Sequence, residues 1–118
     1  MLIEDDETML SLLNAFLEIE GFDVSNPDLN GNIEGILTDM RQARPDLVLL
    51  DVHLNQLNGF DLLLNIRQDS SLKSTRVLMS SGMDLSRECD DQGADGFLLK
   101  PYMPEDLIGK IWQTLGNA

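Results

Sequence analysis

Four short apolar runs of this chain lead into residues whose side chains can do chemistry together. Residues 1–3 lead into Glu4-Asp5-Asp6-Glu7, and Leu47-Val48-Leu49-Leu50 ends in Asp51. Val77-Leu78-Met79 is followed by Ser80-Ser81-Gly82, and Phe97-Leu98-Leu99 by Lys100-Pro101. Carboxylates brought to one place repel one another, by about 4 kcal/mol for two unit charges ~4 Å apart at an effective dielectric of about 20. A pocket holding Glu4, Asp5 and Asp51 therefore needs protonation or a cation. Oxygen-only donors in an open, wet site select a hard ion, and Mg²⁺ suits them best. A lysine ammonium and a serine hydroxyl on the other side supply donors for an anion. Asp51 would then be placed as a nucleophile in phosphoryl transfer. Acids gathered without compensation also predict that Asp5→Asn stabilises the metal-free fold.

Each residue has a plainer reading. An acidic run after a first strand serves the positive end of a helix dipole. Asp51 is suited to a turn or a cap, Ser81 to bonding its own backbone, and Lys100 to a solvated surface. His53 reads as a surface or packing residue, and Cys89 and the methionines as packing or exposed filler. The case for chemistry is convergence, so it depends on the elements that would bring the four runs together.

Those elements follow from periodicity. Met9, Leu12, Leu13, Phe16 and Leu17 recur at helical spacing, with Gly21 as a stop. Residues 22–24 read as a short strand, followed by turn chemistry in Asn26-Pro27-Asp28 and Asn30-Gly31-Asn32. Ile33, Ile36, Leu37 and Met40 mark a second helix, and Leu62, Leu63 and Ile66 a third. Residues 84–92 form a short acidic helix with few apolar anchors, and Leu107, Ile108, Ile111, Trp112 and Leu115 a final amphipathic one. The continuous run 47–50 fits a strand buried on both faces of a parallel sheet. The alternation βαβαβαβαβα predicts an α/β fold of flavodoxin-like (βα)5 type, a doubly wound parallel sheet in strand order 2-1-3-4-5. In that order the first and third strands are neighbours, ~4.8 Å apart. Ligands of such folds sit at the carboxyl ends of the strands, where all four runs end.

Composition narrows the partners. The 118 residues are 42% hydrophobic and 25% charged, which suits one soluble domain spanning 1–118. Eight basic residues against 21 acidic ones give a net charge of −13, which argues against a nucleic-acid surface or an anionic membrane. One cysteine and one histidine exclude an internal disulfide and a typical zinc centre. The chain has no apolar run near the ~20 residues of a transmembrane helix and no signal segment, so a cytoplasmic location is expected.

The motifs "LIEDDE", "PDLVLLDVHLNQLNGFDLL", "VLMSSG" and "GADGFLLKPY" resemble, in order and spacing, the receiver domain of two-component response regulators. The likeness covers essentially the whole chain. It implies that Asp51 accepts a phosphoryl group from a phosphohistidine on a sensor histidine kinase or phosphotransfer protein. It implies Mg²⁺ held by Glu4, Asp5, Asp51 and the backbone carbonyl of His53, with Asp5 the more direct of the first pair. Ser81 and Lys100 match the groups that bind the phosphoryl oxygens, and Ser81 and Phe97 the switch pair. His53 and Met83 match positions that in the family tune hydrolysis. A cis Lys100–Pro101 peptide is a further implication, while a homodimer, an output domain, a separate partner and a stand-alone receiver are all left open. The chain departs from the family at Asn55, where proline is usual, at Ser81, where threonine is commoner, at Phe97, which lacks a hydroxyl, and in its short first strand.

Three other readings compete. A receiver that has lost phosphorylation would serve only as an interaction module, yet every residue the chemistry needs is present. An aspartyl-nucleophile phosphohydrolase needs a second acid where His53 stands. A flavin module needs a glycine- and hydroxyl-rich phosphate loop, which "EDDE" would repel.

Overall fold

The computed structural model describes residues 1–30 and 32–116. In chain order the elements are β1 (Leu2–Ile3), α1 (Glu7–Ile19), α2 (Ile33–Ala43), β2 (Leu47–Asp51), β3 (His53–Leu54), β4 (Leu57–Asn58), α3 (Gly59–Gln68), β5 (Arg76–Ser81), α4 (Ser86–Asp91), β6 (Gly96–Leu99) and α5 (Pro104–Thr114). The main sheet is parallel, in the order β1-β2-β5-β6, and β3 and β4 form a separate antiparallel hairpin.

Strand side chains alternate between faces, and this alternation builds two cores. Leu2, Leu49 and Leu78 share one register row and pack with Leu13 and Leu17 of α1 and Leu107 and Ile111 of α5. Ile3, Leu50 and Met79 form the next row and face the other way, against α2, α3 and α4. Ile36, Met40, Leu62, Ile66 and Cys89 supply the helical side of that core and are fully buried. Burying a side chain of this size contributes about 1.5–3 kcal/mol, so both faces of the sheet are held by helices. This is the doubly wound α/β arrangement. Cys89 anchors the short acidic α4, and burial together with the charge of Glu88 pushes its thiol up to about 11.

One expected element is absent. Residues 22–24 join no ladder, and the segment meets β1 through a single backbone bond, Leu2 N–H to Ser25 O at 2.9 Å. The cause is local. β1 offers only two ladder residues, and the next donor a parallel ladder would bring to the Leu2 carbonyl is Pro27, which has no N–H, so that carbonyl accepts the Asn26 side-chain amide at 3.2 Å instead. Phe22 turns instead to Trp112, with ring centroids 5.4 Å apart. The neighbours expected of strands one, three, four and five are all present, while the place of strand two is taken by non-ladder chain. The turn at Asn30-Gly31-Asn32 includes Gly31, outside the described residues. Asn32 itself caps α2, its side chain accepting the Gly35 N–H at 2.9 Å. Among the described residues no helix is long and apolar enough to cross a membrane.

Candidate functional site

The site follows from register. Ile3 pairs with Leu50, so Glu4 and Asp51 leave adjacent strand ends side by side. Ser81 pairs with Leu99, which sets Lys100 beside the end of β5, its N–H donating to the Ser81 carbonyl at 2.8 Å. From there the Lys100 ammonium reaches across the sheet. Its Nζ lies 2.8 Å from Asp51 Oδ2 and 3.2 Å from Glu4 Oε2. The other carboxylate oxygens accept backbone amides: Glu4 Oε1 from Asp6 at 3.0 Å, and Asp51 Oδ1 from His53 at 3.2 Å. Glu4 and Asp51 are only 7% and 8% exposed, so these bonds replace most of their water.

This corrects the expectation of uncompensated like charges. Lys100 stands between two of the acids, and the third, Asp5, accepts the backbone N–H of Asn55 at its Oδ2. Asp5→Asn would therefore weaken a bond rather than simply relieve repulsion. Burial pushes the Glu4 carboxyl above its usual range, against the Asp6 amide and the Lys100 charge, which pull it down. Burial also pulls the Lys100 ammonium down, but its hydrogen bonds and charges with Asp51 and Glu4 outweigh that and leave it raised.

The acidic run "EDDE" divides between the two readings given to it. Glu4 and Asp5 serve the site, while Asp6 caps α1 by accepting the Met9 N–H at 3.0 Å and Glu7 sits in the first turn. Ser81 is buried, and its Oγ accepts the Met83 N–H at 3.1 Å. Met83 is 62% exposed on the loop beyond. Phe97 is half-buried against the α2–α3–α4 core. The His53 side chain is exposed, and its backbone is part of the hairpin. The Lys100–Pro101 peptide is cis, as expected.

Among the described residues no three His, Cys, Asp or Glu side chains are arranged to hold a metal ion together. Glu4 is already engaged by Lys100 and the Asp6 amide. The donors left are the Asp5 and Asp51 carboxylates, which have lone pairs beyond those now used, and backbone oxygen. Two carboxylates in a wet setting fit Mg²⁺, which keeps several of its waters, better than an ion that needs a full protein cage. Glu4, Asp5 and Asn55 line a groove of about 360 Å³ that gives water access to them. A second, apolar cleft of about 750 Å³ runs from Lys100 between Pro101, Tyr102 and the α1 side chains Met9, Leu12 and Phe16.

Two contributors were not visible in side-chain chemistry. Gly59 packs so closely under β2 that a Cβ there would lie 2.5 Å from the Asp51 carbonyl oxygen. The Asn-Gly pair at 58–59 is the signal that marks it. The Asn55 amide has no signal in residue type, because any residue but proline carries one.

The chain matches the family model of the response regulator receiver domain over residues 1–112. It is 37% identical to a CpxR homolog of Haemophilus influenzae, a transcriptional regulatory protein, with 100% of this chain and 50% of that protein covered. It is 31% identical to the DNA-binding response regulator MtrA of Mycobacterium tuberculosis, covering 94% of this chain and 47% of that one. The chain thus spans about half the length of the curated relatives it matches. A CheY-like receiver domain protein from Methanospirillum hungatei superposes with a TM-score of 0.82 at 25% identity, covering 98% of this chain and 90% of its own. The chemotaxis regulator CheY4 of Vibrio cholerae shares the fold with a TM-score of 0.83 at 24% identity, over 96% and 94% of the two chains.

Proposed function

The chain belongs to the response regulator receiver family, and on that premise we propose that Asp51 is its phosphoacceptor. The observation that carries this reading is the Lys100 ammonium 2.8 Å from a buried Asp51 carboxylate at the carboxyl end of the sheet. An Asp51 oxygen attacks the phosphorus of a phosphohistidine. The P–N bond breaks as the P–O bond forms, and the electron pair leaves with the imidazole nitrogen, which takes up a proton. Lys100 exchanges its Asp51 carboxylate partner for a phosphoryl oxygen. Ser81, now accepting from Met83, turns its hydroxyl to donate to another. Asp5, Asp51 and the His53 carbonyl would hold Mg²⁺, with Glu4 acting behind them. When bound, the ion neutralises charge on the transferring phosphoryl oxygens.

The donor is a sensor histidine kinase or phosphotransfer protein, and the apolar cleft beside Lys100 gives it a surface next to the nucleophile. The inward turn of Ser81 and burial of Phe97 shift the population toward a second conformation that an output domain, a second copy or another partner reads. The acyl phosphate is lost slowly by hydrolysis, so the chain acts as a cytoplasmic switch rather than a turnover enzyme. A small phosphodonor with Mg²⁺, followed by intact mass, tests the assignment. One added phosphate is expected in the parent and none in Asp51→Asn or in chelator. Phosphate surviving Asp51→Asn would overturn it.

A further inference from the structure

The hairpin after the phosphoacceptor does more than close a loop. In an antiparallel pair, residues alternate between those whose N–H enters the ladder and those whose N–H points away. Leu54 pairs with Leu57 and His53 with Asn58, leaving Asn55 and Gln56 as the two-residue turn. The His53 N–H leaves the ladder toward Asp51, and the Asn55 N–H, two residues on, leaves it toward Asp5. One arm of the hairpin, from β3 into its turn, thus addresses two acids through its backbone. The Asn55 side chain has no part in this, and the family's usual proline would supply no donor at this position.

We propose that the backbone amide of Asn55 is a positioning group for a divalent cation at this site: by holding one oxygen of Asp5, it fixes the carboxylate and leaves the other oxygen free for the ion. The inference rests on the receiver reading of the site and adds to it a group that replaces the rigidity of proline with a bond. A ligand carboxylate fixed by a neighbouring donor loses less freedom when a cation binds. Removing such a partner typically weakens metal affinity 10- to 100-fold. Only one oxygen is engaged, and a carboxylate accepts up to about four bonds, so the bond and the cation can coexist.

Proline is a usable probe here. Among the described residues the non-glycine residue with positive φ is Arg44, so Asn55 is outside the left-handed region closed to proline, and the melting control below checks that the ring is accommodated. Leu54 before it lies in a strand, the conformation favoured ahead of proline. Asn55→Pro therefore removes the bond to Asp5 while leaving the ladder intact. Asn55→Ala removes the side chain and keeps the amide.

The experiment is a calorimetric titration of metal-free protein with Mg²⁺ alone, on the parent, Asn55→Ala, Asn55→Pro and Asp5→Asn, each first shown by thermal melting to fold. The inference expects Asn55→Ala to bind like the parent and Asn55→Pro about tenfold more weakly. Asn55→Pro binding as well as the parent, or better, would overturn it. So would Asn55→Ala losing as much as Asn55→Pro, or an Asn55→Pro that fails to fold, since the bond would then serve the hairpin rather than the cation. An Asp5→Asn protein that binds Mg²⁺ like the parent would instead strike the metal reading of the site itself.

Discussion

The two loops that flank Asp51 are built in opposite ways. The β3–β4 hairpin gives amides to Asp51 and Asp5, and its far end is pinned where Gly59 N–H donates to Val52 O at 2.8 Å. The loop after β5 has mostly local bonds: Met83 N–H to Ser81 Oγ, and Ser86 to Asp84 Oδ1. Their glycines show the same contrast. A Cβ at Gly59 would meet backbone at 2.5 Å, whereas one at Gly82 would meet nothing within 4 Å. The side that positions acids is held by close backbone approach. The side that carries the Ser81 hydroxyl has room to rearrange, as elements with few packed contacts do.

Lys100 spans the two sides, so removing it should have the largest effect. Lys100→Met leaves two carboxylates, 6% and 10% exposed at their side chains, without their cation. Breaking one half of a buried pair costs about 3–5 kcal/mol, and with Lys100 itself 23% exposed the lower end is expected. Denaturant unfolding in chelator measures it. Adding Glu4→Gln should recover a large part of the loss, because one of the stranded charges is gone. A double variant no more stable than Lys100→Met would mean that the acids are hydrated rather than held by the lysine.

The glycine pair sharpens the comparison at a smaller scale. Gly59→Ala must displace backbone, and overpacking of this kind costs about 1–3 kcal/mol. Gly82→Ala, with open space and a φ outside the left-handed region, should be neutral or stabilising by up to about 1 kcal/mol. Thermal melting of both reports the difference. Equal losses would erase the contrast between a pinned arm and a free one.

The sequence is legible where side-chain pattern carries the information. The run 47–50 reads as a doubly buried strand, and its rows face both cores. Glu4, Asp51, Ser81 and Lys100 follow from being the residues just past apolar runs, and the register brings them together. The sequence is silent where backbone decides. The strand expected at 22–24 fails to pair because the ladder bond that would follow Leu2 N–H to Ser25 O needs an N–H from Pro27, which has none, and the Asn26 side-chain amide takes the Leu2 carbonyl instead. Charge compensation in the acid cluster depends on Lys100 reaching across from β6, and "LLKPY" gives the lysine but not its direction. The Asn55 amide and the close approach at Gly59 are likewise main-chain facts, of which only the Asn-Gly pair leaves a trace.

The smallest expected effect belongs to the free arm and concerns lifetime rather than stability. Met83 stands two residues beyond Ser81, and its own N–H ties to the Ser81 hydroxyl. Its side chain is 62% exposed on that loop. When Ser81 turns toward a phosphoryl oxygen, that tie breaks and the Met83 side chain moves with the loop. A thioether there can shield the acyl phosphate but cannot orient a water, whereas a carboxylate can accept a proton from one. Met83→Ala should therefore shorten the life of the phosphorylated form a few-fold, and Met83→Glu somewhat more, a change of about 1 kcal/mol in the hydrolysis barrier. His53, across the site on the pinned arm, has an exposed imidazole that can donate or accept, so His53→Ala can move the decay rate in either direction. The measurement is decay of phosphoprotein after donor removal, in excess Mg²⁺. Both Met83 variants decaying within about twofold of the parent, worth only ~0.4 kcal/mol, would show that the free arm carries the switch hydroxyl without guarding the phosphate.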